Sequence, residues 1–158
     1  MSEMSLPVVE RTLHKTRIWL DDVMAVTETM DRAKAYRALR AVLHALRDEL
    51  DTNEIAAFAS QMPLLIRGLY YEGWQPHREA ERPTGTATGF IARIGEEFGD
   101  FPTLELEHTA RGIYRVISAH VSGGEMDGIT CCLPDAVREL LLADEYRAPC
   151  APLLKAPH

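Results

Sequence analysis

Laid against itself with a shift of 71 residues, the chain matches apolar residue to apolar residue from about residue 15 to residue 143, with no gap. Trp19 falls on Phe90, Leu20 on Ile91, Val23 on Ile94, Val42 on Ile113 and Leu46 on Ile117. Farther along, Ile55 falls on Met126, Phe58 on Ile129 and Met62 on Leu133. Five positions are identical: Arg40 and Arg111, Glu54 and Glu125, Pro63 and Pro134, Arg67 and Arg138, Leu69 and Leu140. Five identities alone carry little weight. The ungapped apolar pattern carries more, because it preserves a buried face position by position. The chain is therefore expected to hold two copies of one unit that share a core.

Each copy reads as three helices. Thr16, Trp19, Leu20 and Val23 follow the i, i+3, i+4, i+7 spacing of one helical face, and Ala87, Phe90, Ile91 and Ile94 repeat it. The next helix carries Ala35, Ala38, Leu39, Val42, Ala45, Leu46 and Leu50, answered by Leu106, Thr109, Ala110, Ile113, Val116, Ile117 and Val121. Gly112 replaces Ala41 there, which weakens a helix by roughly 1 kcal/mol, so a close packing contact is expected. The third helix opens on a capping box, Ser122 with Glu125, and Asp51 with Glu54 in the first copy. That gives both glutamates a structural role. Pro63 and Pro134 interrupt the third helix, since proline lacks the amide and clashes one turn back. The apolar phase continues past Pro63, so a short helix is expected to restart with the proline in its first turn. The expected fold is all-α: two pseudo-repeated three-helix units, each third helix broken at proline, packed into one compact domain. The first repeat spans 11–76, a polar linker 77–86, the second repeat 87–145 and an irregular proline-rich tail 146–158.

The runs "ALRAVLHALRDEL", "QMPLLIRGLYYEGWQP" and "CCLPDAVRELL" resemble the bacterial family called domain of unknown function 2267. The resemblance implies an all-helical, twice-repeated module and brings no activity with it. The adjacent cysteines and the tail depart from the family's pattern.

Composition narrows the function. The net charge of −7 disfavours a nucleic-acid binder, which needs a basic footprint. No window approaches the ~18 apolar residues of a membrane span. Three cysteines, two of them adjacent, do not read as a disulfide framework, and a cytoplasmic protein is expected. The six histidines form no His-x3-His pair and the cysteines no Cys-x2-Cys pair, so no metal, cofactor or catalytic residue is assigned. Of Cys131 and Cys132, one is expected in the core and the other partly exposed. "SGGE" is read as a helix cap and not as a phosphate loop.

The stretch "LYYEGWQPHR" concentrates aromatic residues at the end of the first copy. Gly73 suits a left-handed helix stop, with Trp74 folding back on the last turn. Arg67 and Arg138 read either as carbonyl caps or as partners of a nearby carboxylate. The candidate binding surface is Tyr70, Tyr71, Trp74, Arg67 and Arg138. The leading expectation is a non-enzymatic helical module that binds a protein partner or itself. The alternative is a small-molecule binding or sensing domain with a pocket at the junction of the halves.

Overall fold

Helix α1 runs Pro7–Val26, α2 Arg32–Arg47, α3 Thr52–Ala59, α4 Leu64–Tyr71, α5 Ala87–Phe98, α6 Thr103–His120, α7 Gly123–Cys132 and α8 Asp135–Leu142. The computed structural model describes residues 6–76 and 84–143, which form an all-α domain without a strand among them. Most of the expected linker, and all of the expected tail, lie outside the described residues. Helix α1 reaches back to Pro7, whose fixed φ suits a first helical position.

Helices α4 and α8 are 71 residues apart at both ends, and α3 and α7 start 71 apart. Helix α1 lies on α2 and α4, as α5 lies on α6 and α8. Helix α2 makes its most extensive packing across to α5, and α6 correspondingly packs on α1. Helix α3 meets α7. The apolar faces read from the sequence are the core: Trp19, Val23, Leu39, Val42 and Leu46 on one side, and Phe90, Ile94, Ile113 and Ile117 on the other. Gly112 has the expected close neighbour, for a Cβ there would stand 3.2 Å from Val26.

The third helices break as expected, one position earlier. Pro63 and Pro134 are the N-cap residues of α4 and α8 and do not enter their first turns. Proline offers no capping side chain, so the helix start needs a partner from elsewhere. In α4 that partner is Thr12 of α1, whose hydroxyl accepts from the Leu65 amide at 2.8 Å. The break also leaves carbonyls bare at the end of the preceding helix. Arg67 Nε donates to the Ala59 carbonyl at 3.0 Å and its Nη2 to Met62 at 3.1 Å. Arg138 Nη1 reaches the Cys131 carbonyl at 3.4 Å and pairs with Asp135. Carbonyl capping is thus the shared role of the two arginines, with a carboxylate partner added at Arg138.

Both expected caps are present, in unequal form. Asp51 accepts from the Glu54 amide at 3.0 Å, and Glu54 accepts from the Asp51 amide at 3.1 Å, a complete box. Ser122 accepts from the Glu125 amide at 3.4 Å, one weak arm of the box. Asp51→Ala should therefore destabilise by about 1.5 kcal/mol and Ser122→Ala by about 0.5 kcal/mol. Urea melts of the two variants against the parent check the order.

Candidate functional site

Helix α2 is buried on every face from Ala41 to Arg47, although its sequence includes His44 and Arg47. Polar groups that deep must be hydrogen-bonded, or desolvation is unopposed. His44 Nε2 donates to the Leu69 carbonyl at 2.8 Å, and Nδ1 stands 2.8 Å from Glu97 Oε1. Arg40 bridges two carboxylates, Glu72 at 3.2 Å and Glu97 at 3.1 Å. Arg47 donates to the carbonyls of Tyr70 at 2.8 Å and Glu72 at 3.1 Å, and to Asp48 at 2.9 Å. Hydrogen bonding by Arg40 holds the Glu72 carboxyl below its usual range, and the same bond raises the Arg40 guanidinium. One helix thus grips the end of α4 and the C-terminal half of α5, and so joins the halves.

These side chains line a charged cleft of ≈ 270 Å³ at the junction. Beside it, Glu49 is buried and accepts from the Thr84 amide at 3.2 Å, the Thr84 hydroxyl at 2.7 Å and the Gly85 amide at 3.3 Å. It also faces Arg93 Nη1 at 3.9 Å. The positions 71 residues away from this pair hold His120 and Asp22, which pair at 2.6 Å. An acid–base contact is thus found at both places, with the two residue types exchanged. Arg40, His44, Arg47, Glu49 and Glu97 escape a reading of apolar period, because pairing across the halves leaves no period. The only trace in the sequence is the identity of Arg40 and Arg111, and Arg111 likewise reaches the end of α8, at the Leu140 carbonyl, 2.8 Å away.

The aromatic candidates divide. Tyr70 is fully buried, and its hydroxyl donates to the Ile55 carbonyl at 3.0 Å. Burial raises its ionisation far above the usual tyrosine range. It faces the core because it continues the phase of Ile66 and Leu69, so it contributes to no surface. Tyr71 and Trp74 are half-buried against the core, with ring centroids 5.5 Å apart. Gly73 has φ +73° and the Trp74 amide donates to the Tyr71 carbonyl at 3.0 Å, a helix stop of the expected kind. Trp74 is less covered than a residue folded fully back on the last turn would be.

Neither Cys131 nor Cys132 enters the core as a free thiol, because Ile129 and Leu133 hold the inward positions of that turn. Cys131 is disulfide-bonded, whereas Cys132 is free and half-buried. Burial, with the Glu54 carboxylate beside it, pushes the Cys132 thiol up to about 11, the opposite of an activated nucleophile. Among the described residues no group of three or more His, Cys, Asp or Glu could hold a metal ion. No described helix is long and apolar enough to cross a membrane. A groove of ≈ 380 Å³ lies beside Trp19, on which His120 stacks at 4.9 Å. Two of its polar groups are engaged elsewhere, His120 with Asp22 and the Ser60 hydroxyl with the Ala57 carbonyl.

The exposed apolar surface lies away from the aromatic stretch. Of the ten exposed large hydrophobic residues among the described residues, six stand at the starts of two helices: Leu6, Val8, Val9 and Leu13 beside α1's first turns, and Leu64 and Leu65 on α4. The Thr12 to Leu65 hydrogen bond holds these two helix starts together. Leu6, Val9 and Leu13 continue, at spacings of three and four, the stripe that Thr16, Leu20 and Val23 bury farther along the same helix. A stripe is buried in one half of α1 and bare in the other.

A family model described as an uncharacterized conserved protein (DUF2267) matches residues 16–140, from within α1 to within α8. No curated protein matches the chain.

Proposed function

Since the chain belongs to the DUF2267 family, a family described only as uncharacterized, its function has to come from its surface, and we propose that it is a non-enzymatic helical interaction module built from a duplicated unit. Its docking surface is the apolar patch on the first turns of α1 and α4. The gathering of six exposed large hydrophobic residues there carries the reading. Scattered exposed leucines are ordinary, whereas a contiguous patch marks a binding surface. An unburied stretch of a helical stripe fits a second amphipathic helix laid along it. A second copy of the chain supplies one, through an interface in which the same patch serves both partners. The engagement of the junction charges with one another supports a fastening role for them rather than a catalytic one.

Sedimentation velocity over rising concentration tests the reading. The parent chain should form a dimer, and Leu13→Asp with Leu65→Asp should weaken it at least tenfold, about 1.4 kcal/mol or more, with the circular dichroism spectrum unchanged. A parent that stays monomeric at its highest soluble concentration would rule out self-docking.

A further inference from the structure

Helix α1 ends near the start of α2, and α5 ends near the start of α6, and between these four a cavity of ≈ 260 Å³ opens. Three pairs of its lining residues stand 71 apart in sequence: Thr27 and Phe98, Lys34 and Glu105, Ala38 and Thr109. Matching places in the two halves thus line one cavity, yet their chemistry differs. Lysine is matched by glutamate, and alanine by threonine.

Glu28 lines the same cavity, and its backbone is in the left-handed region, at φ +53°. It is the only positive-φ residue other than glycine among the described residues. The position follows the cap of α1, and the next amide, Thr29, donates to the Met24 carbonyl at 3.1 Å. That closure favours glycine, which carries no Cβ strain there. The residue 71 positions on is Gly99. A carboxylate is thus held where glycine is the unstrained choice, and strain of this kind gathers at binding sites.

Thr109 supplies an independent sign. It is 4% exposed and lines the cavity, and its hydroxyl, which solvent still reaches, makes no hydrogen bond among the described residues. The buried threonines Thr16 and Thr130 both donate to the carbonyl four residues back. Nor do Glu28, Lys34, Glu105 or His108 make an ion pair among the described residues, in contrast with the charges at the junction. Lys34 is steadied instead by aromatic faces, 5.0 Å from the Phe101 ring centroid and 6.0 Å from that of Phe98.

We propose that this cavity binds a small zwitterion, a free α-amino acid. Two carboxylates, Glu28 and Glu105, suit its ammonium. Lys34 and the Thr109 hydroxyl suit its carboxylate. Ala38 and Phe98, both buried, offer an apolar floor for its side chain. A simple cation would meet Lys34, and a simple anion would meet two glutamates, so a ligand of both signs fits best. The cavity's ≈ 260 Å³ leaves room for a small amino acid of the size of leucine. The site is separate from the docking patch and stands without it.

The test is L-leucine titrated into the ¹⁵N-labelled full chain, followed by amide shifts at Lys34, Ala38 and Thr109. Saturable one-to-one binding is expected, with isopentylamine and 4-methylpentanoate, which each keep one charge, weaker by about tenfold or more. Glu28→Gly should raise the melting temperature, because it relieves the backbone, while weakening leucine by about tenfold. Lys34→Gln should weaken it similarly, and Leu13→Asp with Leu65→Asp should leave it unchanged. Absence of saturable leucine binding would overturn the proposal. So would full affinity in Glu28→Gly, or isopentylamine binding as tightly as leucine.

Discussion

Tyr70→Ala is expected to lower the stability of the fold by about 4 kcal/mol, the range for emptying a large aromatic site in a packed core. The ring is fully buried beside Phe58, with centroids 5.6 Å apart, and its hydroxyl donates to the Ile55 carbonyl. Tyr70→Phe keeps the packing and removes the hydrogen bond, and should cost about 1 kcal/mol. The residue also imposes a pH dependence. Burial disfavours the phenolate, so the folded-state ionisation is raised above the unfolded value. The contribution is fully present below the unfolded pKa of about 10 and falls by about 1.4 kcal/mol per pH unit above it. Urea melts from neutral pH upward should show this alkaline loss in the parent and a shallower one in Tyr70→Phe. Equal slopes for the two would contradict the burial argument.

Arg47→Met is expected to cost about 3 kcal/mol, since breaking one partner of a buried charged network leaves the others unanswered. The methionine fills much of the space of the arginine stem, so the loss reports hydrogen bonds more than packing. Three acceptors lose their donor: the Tyr70 and Glu72 carbonyls and the Asp48 carboxylate. Arg47→Lys should recover only part of the loss, because an ammonium lacks the planar fork that reaches all three. Denaturant unfolding of both variants, with Asp48→Asn to complete a double-mutant cycle, separates the carboxylate from the carbonyls. A methionine variant as stable as the parent would mean that α2 does not secure the end of α4 in this way.

Such sites are legible in the sequence to different degrees. Tyr70 keeps phase with Ile66 and Leu69, which places it among core positions, although its aromatic neighbours also give it the look of a ligand contact. Only the course of α4 against α3 shows the hydroxyl spent on Ile55. Arg47 carries no mark in the sequence, since a helical period counts it as one more polar position. Arg67 and Arg138 are visible as a pair repeated after each proline. Which acceptors they meet depends on the angle between the helices on either side of the break.

The apolar period, the caps at Asp51 and Ser122, the proline breaks and the stop at Gly73 are local, each set by residues within a turn or two of one another. The sequence by itself therefore determined the helices, their buried faces and the all-α class. The tertiary structure alone decided which polar side chains meet across the halves, as His44 meets Glu97 and Glu49 meets Thr84. It also decided which stretch of the α1 stripe stays bare, because a period marks a face as apolar without saying how much of it a neighbour covers. The same holds for the cavity beside Glu28. Its walls come from four helices, and no spacing along the chain records how near their side chains stand in space.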